Sequence, residues 1–153
     1  MRSSHFEVAL ALLERRGEWL IQLRDDVPGI VAPGTWGLFG GHLEPGETPE
    51  QALRRELLEE IGWAAGELAL CHRHVTPQRT AHFFRGPLSV PLQRLQLLEG
   101  QDMRLAGLRE MEAGAVWSDR LRAHRPLAPS LQRAVALLLA DPTLSPGPPL
   151  PPR

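Results

Sequence analysis

Apolar residues along this chain fall into runs that change period from segment to segment. Phe6 to Leu13 is rich in Val, Ala and Leu and reads as a β-strand. Arg15-Arg16-Gly17-Glu18 reads as a turn, and Trp19 to Leu23 as the returning arm of a hairpin. Arg24 to Gly34 carries two prolines and two glycines and predicts a loop. Trp36 to Phe39 predicts a short strand ending in Gly40-Gly41, with His42 to Glu47 as a second loop. From Thr48 the pattern is helical. Thr48 is a cap, Pro49 suits the first helical position and Gln51 completes a capping box. This helix runs to about Ile61 and stops at Gly62. Strands follow near Leu68 to His74 and Thr80 to Arg85, each mixing polar with apolar residues and so predicted half exposed. Leu88 to Leu98, with Pro87 before it and Pro91 inside it, reads as an edge strand or a loop. Leu98 to Asp102 is a polar turn, and Leu108 to Ala113 a short helix. Ser130 to Ala140 is an amphipathic helix with Leu131, Ala134, Val135 and Leu138 on one face. Strands, helix, strands, helix is the order of an α/β protein with helices packed on a mixed sheet.

Composition narrows the class. A length of 153 residues suits one compact domain, here residues 1–141. Residues 142–153, mostly proline from Ser145 to Arg153, read as a disordered tail. Hydrophobic residues at 42% and charged residues at 23% suit a globular protein. Seventeen basic against 18 acidic residues leave a net charge of -1, which gives no general pull toward nucleic acid or an anionic membrane, so neither is expected as a partner. Every basic residue is arginine, scattered along the chain in the manner of a compositional bias. Cys71 has no second cysteine to pair with and reads as a small core residue. Met1 to Val8 is too polar for a signal peptide and no apolar run is long enough to span a bilayer, so the expected location is cytoplasmic.

The segment from Gly41 to Trp63 concentrates acids at fixed offsets: Glu47, then Glu56, Glu59 and Glu60. At about 100° per residue, Glu56, Glu59 and Glu60 share an arc of roughly 100° on one helical face. Leu53, Leu57, Leu58 and Ile61 occupy the neighbouring arc and are expected to pack on a sheet. Three carboxylates so placed repel one another. Helix propensity does not ask for this, whereas hard oxygen ligands suit magnesium or manganese. Three glutamates alone would read sooner as a solvated acidic face, the usual fate of a charge run.

The full spacing separates the two readings. Gly41, Glu47, Arg55, Glu56, Leu57, Glu59, Glu60, Gly62 and Trp63 fall at the positions of the Nudix box, and the segment resembles it. Seven of those are single-residue positions. At roughly 6% usage each, they would match by chance on the order of a few times in a billion starts. Trp63 departs from the commoner aliphatic residue while keeping the position apolar. The resemblance to Nudix hydrolases implies an α/β/α sandwich with a mixed β-sheet, the box forming a loop–helix–loop. It implies Glu56, Glu59 and Glu60 as metal ligands or catalytic carboxylates, joined by the backbone carbonyl of Gly40, with Mg2+ or Mn2+ as cofactor. It implies Arg55 as the residue that orients a box glutamate, and Glu47 as a water-mediated ligand or a buttress of the loop. Many members supply a further acid from a loop after the later strands. Glu99 is the candidate here and Asp102 the runner-up.

The activity so implied is hydrolysis of a diphosphate bond in a small-molecule nucleotide, a nucleoside triphosphate or nucleoside diphosphate derivative, with clearance of non-standard nucleotides as the first assignment. A nucleotide-sugar or ADP-ribose pyrophosphatase is the alternative, Pro77 downstream of the box being a feature associated with the ADP-ribose type. A non-catalytic nucleotide-sensing domain is the other, disfavoured because every box acid is present. The absence of tyrosine argues against the dinucleoside polyphosphate type. A homodimer is in keeping with the family. Trp19 and Trp36 are read as base-stacking or core residues, and His42 as a substrate contact or a bystander.

Overall fold

A computed structural model of the chain describes residues 5–144; the tail from Ser145 to Arg153 lies outside the described residues. In chain order the elements are β1 (Phe6–Arg15), β2 (Glu18–Leu23), β3 (Trp36–Gly37), β4 (Gly40–His42), α1 (Pro49–Ile61), β5 (Ala69–Val75), β6 (Arg79–Pro87), β7 (Asp102–Gly107), α2 (Leu108–Glu112), β8 (Ala115–Ser118), β9 (Ala123–Pro126) and α3 (Pro129–Ala140). They divide between two compact units, residues 5–13 with 39–98 and residues 14–38 with 99–144.

In the first unit, β1 is buried continuously from Val8 to Leu13, as a strand covered on both faces must be. It pairs antiparallel with β4, Ala9 opposite Gly41 and Leu10 opposite Gly40. Here the structure departs from the strand expected over Trp36 to Phe39. Only Trp36 and Gly37 of that run are strand, as β3; Leu38 and Phe39 lie in no strand, and Gly40 to His42 form β4, so His42 belongs to a strand rather than a loop. The cause is Gly40, whose φ of +139° and missing Cβ let its backbone come so close to the Ala9 carbonyl that any side chain would collide with it. β5 and β6 form an antiparallel hairpin. β5 is half exposed as expected. β6 is not: Thr80 to Phe84 are all buried, because β6 lies between β5 and β1. Cys71 is only half buried, its thiol donating to the Phe83 carbonyl at 3.3 Å, so it is not the core residue its apolar run predicts. Leu88 to Leu98 is a loop with one 3-10 turn at Leu92–Arg94.

α1 begins and ends where its sequence dictates. The Thr48 hydroxyl accepts from the Gln51 amide, the Gln51 side chain accepts from the Thr48 amide, and Gly62 closes the helix in the left-handed conformation. Its buried stripe is Ala52, Leu53, Leu57, Glu60 and Ile61. Leu58, expected in that stripe, is 51% exposed. At about 100° per residue it stands roughly 100° from Leu57, outside the arc, whereas Glu60 stands about 20° from Leu53, inside it.

In the second unit the end of β1 turns into β2, Glu14 opposite Trp19, through Arg16 and Gly17, both at positive φ as a two-residue hairpin turn requires. β2 also pairs antiparallel with β3 and, over six positions, with β7. β7, β8 and β9 have no counterpart in the sequence reading: β8 and β9 are four-residue strands, and β7 carries no run of apolar residues to mark it. A parallel bridge joins Trp36 to Leu127. Trp19 and Trp36 are buried, and the Trp36 indole donates to the Val116 carbonyl at 2.9 Å, so both belong to the core and neither offers a base-stacking face. α3 buries Leu131, Ala134, Val135 and Leu138, the predicted face. No helix of the described residues is long and apolar enough to cross a membrane.

Candidate active site

Because Glu60, Glu56 and Glu59 step around α1, they also step outward from the interior. Glu60 is 4% exposed, the Glu56 side chain 16% and the Glu59 side chain 57%. Glu60 is held by the loop before the helix: its Oε2 accepts from the Gly40 amide at 3.1 Å. Glu56 faces Gly41. A Cβ there would stand 2.7 Å from its carboxyl carbon and 2.8 and 2.9 Å from its oxygens. Gly41 is therefore the gap that accommodates a carboxylate. Burial raises the Glu56 pKa above the ordinary carboxylate value, against the opposing pull of Arg55.

Arg55 organises the outer part of the site. Its Nε donates to Glu47 Oε2 at 2.8 Å and its Nη2 to Glu47 Oε1 at 2.9 Å, a bidentate fork. Its Nη1 donates to Glu56 Oε1 at 2.9 Å and lies 3.3 Å from Glu59 Oε2, and its Nη2 also reaches the His42 carbonyl at 3.1 Å. The hydrogen bonds from Arg55 hold the Glu47 pKa down at about 2, and the same bonds, accepted by the Glu47 carboxylate, push that of Arg55 still higher. Glu47 also accepts from the Glu44 amide at 2.8 Å, which braces the loop. The sequence carried no signal for Glu44, whose carboxylate lies 3.8 Å from Arg55. His42 is exposed, its ring 5.2 Å from that of Phe6.

Among the described residues no three His, Cys, Asp or Glu side chains converge as a ready-made metal cluster. Arg55 gathers Glu47, Glu56 and Glu59, while the Gly40 amide takes Glu60. The donor set still fits a hard divalent cation: three carboxylates, two of them shielded from solvent, on a helix packed beside two glycines, one of which leaves space at the Glu56 carboxylate. His72 and His74 lie in β5 and form no such group. Pro77 is exposed in the turn from β5 to β6.

Glu99 belongs to the second unit. It is exposed, and with Gly100 it lines an open pocket whose other walls are Gln22, Arg24, Asp25 and Ile30. Asp102 does not share that pocket. Its carboxylate accepts from the Ser118 hydroxyl at 2.7 Å and from the Met103 amide at 2.8 Å, a structural role. Gln22, a polar residue inside the apolar run Trp19 to Leu23, is a member of this pocket that the sequence reading missed.

An α/β protein whose acidic helix is framed by two glycine-bearing loops defines the class. The NUDIX domain model matches residues 4–125, and the chain belongs to that family. It is similar to nucleoside triphosphatase NudI of Enterobacter sp. strain 638, 42% identical over 55 residues, which are 36% of this chain and 38% of that protein. NudI of Escherichia coli is 44% identical over 55 residues, again 36% of this chain and 38% of the relative. The chain thus spans well under half the length of these curated relatives. Among solved structures, MutT from Aliivibrio salmonicida and Vibrio cholerae has a TM-score of 0.68 at 22% identity, over 90% of this chain and 98% of that one. The E. coli ORF135 protein has a TM-score of 0.62 at 29% identity, over 90% of both chains. The fold they share with this chain is α/β, a mixed sheet with helices.

Proposed function

We propose that this chain is a divalent-metal-dependent pyrophosphohydrolase that cuts a diphosphate bond in a nucleoside triphosphate or a nucleoside diphosphate derivative, and that non-standard nucleotides are among its substrates. The observation that carries this reading is the graded set of carboxylates on α1, with Glu60 on the Gly40 amide, Glu56 against Gly41 and Glu59 outermost beside Arg55. Support comes from membership of the NUDIX family and from the local likeness to proteins described as nucleoside triphosphatases. Glu56, Glu59 and Glu60, with the Gly40 carbonyl, are the groups that would hold magnesium or manganese. Such an ion supplies charge neutralisation at phosphoryl oxygens and a more acidic water. Arg55, forked on Glu47, positions Glu56 and Glu59 through its Nη1, and a carboxylate of the chain accepts the proton of the attacking water. The reading takes residues 1–141 as the catalytic domain and a small nucleotide as its substrate in the cytoplasm, acting without nucleic acid or membrane. The test is phosphate and pyrophosphate release over a panel of standard, oxidised and deaminated nucleoside triphosphates, nucleotide sugars and ADP-ribose, with magnesium or manganese. Turnover confined to ADP-ribose or a nucleotide sugar would move the substrate class. Binding without turnover on every member would sink the enzyme reading.

A further inference from the structure

The last carbonyls of a helix have no partner within it. In α1, Gly62 meets only part of that need, its amide reaching the Leu57 and Leu58 carbonyls. The carbonyls of Glu60 and Ile61 are met from elsewhere in the same unit, by the segment that follows the 3-10 turn. The Leu98 amide donates to the Glu60 carbonyl at 2.8 Å, and the Gln96 amide to the Ile61 carbonyl at 3.1 Å. Leu95, just before them, is buried and anchors the segment, while Gln96 and Leu98 are exposed. Gly62 lies against it: a Cβ there would stand 3.6 Å from Gln96 Oε1 and 4.0 Å from Leu98 Cδ1. Glu60 is therefore held from outside the helix at both ends, its carbonyl by the Leu98 amide and its carboxylate by the Gly40 amide at 3.1 Å. A surface segment that only connects strands can leave its amides to water. Here two of them close on the turn of α1 that carries its buried acid.

We propose that residues 96–98 form a strap that positions Glu60 for the divalent cation, which makes Leu98, through its backbone amide, a positioning residue of the metal site. The inference rests on the reading that Glu60 is a metal ligand. Its physical basis is that the groups holding a ligand in place tune the affinity of the metal. Coupling of this kind is reciprocal, so a metal that fixes Glu60 also tightens the strap.

The full chain is tested in two ways. Amide hydrogen exchange is followed by NMR with and without saturating magnesium, and manganese affinity is measured by electron paramagnetic resonance for wild type and Leu98→Pro, which removes the donor to Glu60. Magnesium is expected to slow exchange at Leu98 and Gln96 by at least about fivefold more than at Thr76. The Thr76 amide, bonded to the Arg79 carbonyl in the turn from β5 to β6, is the reference for general stabilisation in the same unit. Leu98→Pro is expected to raise the manganese Kd by about tenfold. Wild type that binds metal with no added protection at Leu98 and Gln96 overturns the strap, as does an unchanged Kd in Leu98→Pro. Wild type that binds no manganese instead overturns the metal reading itself. If Leu98→Pro fails to fold, Gln96→Pro takes its place. Leu95 ahead of it is already extended, at φ -93° and ψ 153°, as the residue before a proline must be. Gln96→Pro is expected to give a smaller rise in Kd, and an unchanged value overturns the proposal.

Discussion

One guanidinium, that of Arg55, touches three carboxylates of the box, and two of them, Glu47 and Glu56, respond to pH in opposite senses. Glu47, held at about 2 by Arg55, contributes stability that is present above the ordinary carboxylate value of 4.5 and is lost as pH falls through about 2. Acid titrations of wild type and Arg55→Met should therefore differ most above pH 4.5 and converge near pH 2, as followed by circular dichroism. Glu56 runs the other way. Its pKa is raised by burial, so its contribution is complete below 4.5 and declines as pH rises through the raised value. Glu56→Gln removes that decline, and in excess chelator at pH 8 its Tm should equal or exceed that of wild type. A Tm clearly below wild type would show that the Arg55 contact outweighs burial. Glu59 is exposed. Glu59→Gln should lower turnover at least about a hundredfold and leave Tm unchanged. Near-normal turnover would return it to the status of a surface acid.

At the scale of the element, α1 is both the carrier of the acids and an anchored piece of core. Leu53, Leu57 and Ile61 are fully buried. Leu57→Ala should cost about 2–5 kcal/mol of stability in urea unfolding. Thr48→Ala, which removes half of the capping box, should cost about 0.5–2 kcal/mol. Neither residue bears on the carboxylates directly, so kcat per folded molecule should stay near wild type in both. A large fall in kcat with the fold intact would show that the carboxylates depend on the exact seating of the helix.

For the whole molecule, the prediction is linkage between metal and fold. A ligand that binds only the native state stabilises it by about 2.7 kcal/mol at a hundred times its Kd. Manganese should raise the Tm of wild type and fail to raise that of a Glu56→Gln, Glu60→Gln double variant. Activity should disappear with chelator and return with metal. Turnover that persists in excess chelator would remove the metal from the mechanism.

Much of this was legible in the chain. The hairpin of β1 and β2, the capped and terminated helix α1, the amphipathic α3 and the box acids depend on neighbours within a few residues, where spacing alone sets which groups share a face. The residue order therefore determined the family motif and its arc of carboxylates. Tertiary structure decided what lies opposite each group. It made Glu60 a buried acid bonded to Gly40 and left Leu58 in solvent, because the buried face of α1 is centred on Leu53 and Glu60, about 150° from Leu58. It drew β4 against Ala9, paired the inconspicuous β7 with β2, and brought Gln22 to Glu99 across 77 positions of chain. Contacts at such separations depend on which strands lie side by side, and no local period records that.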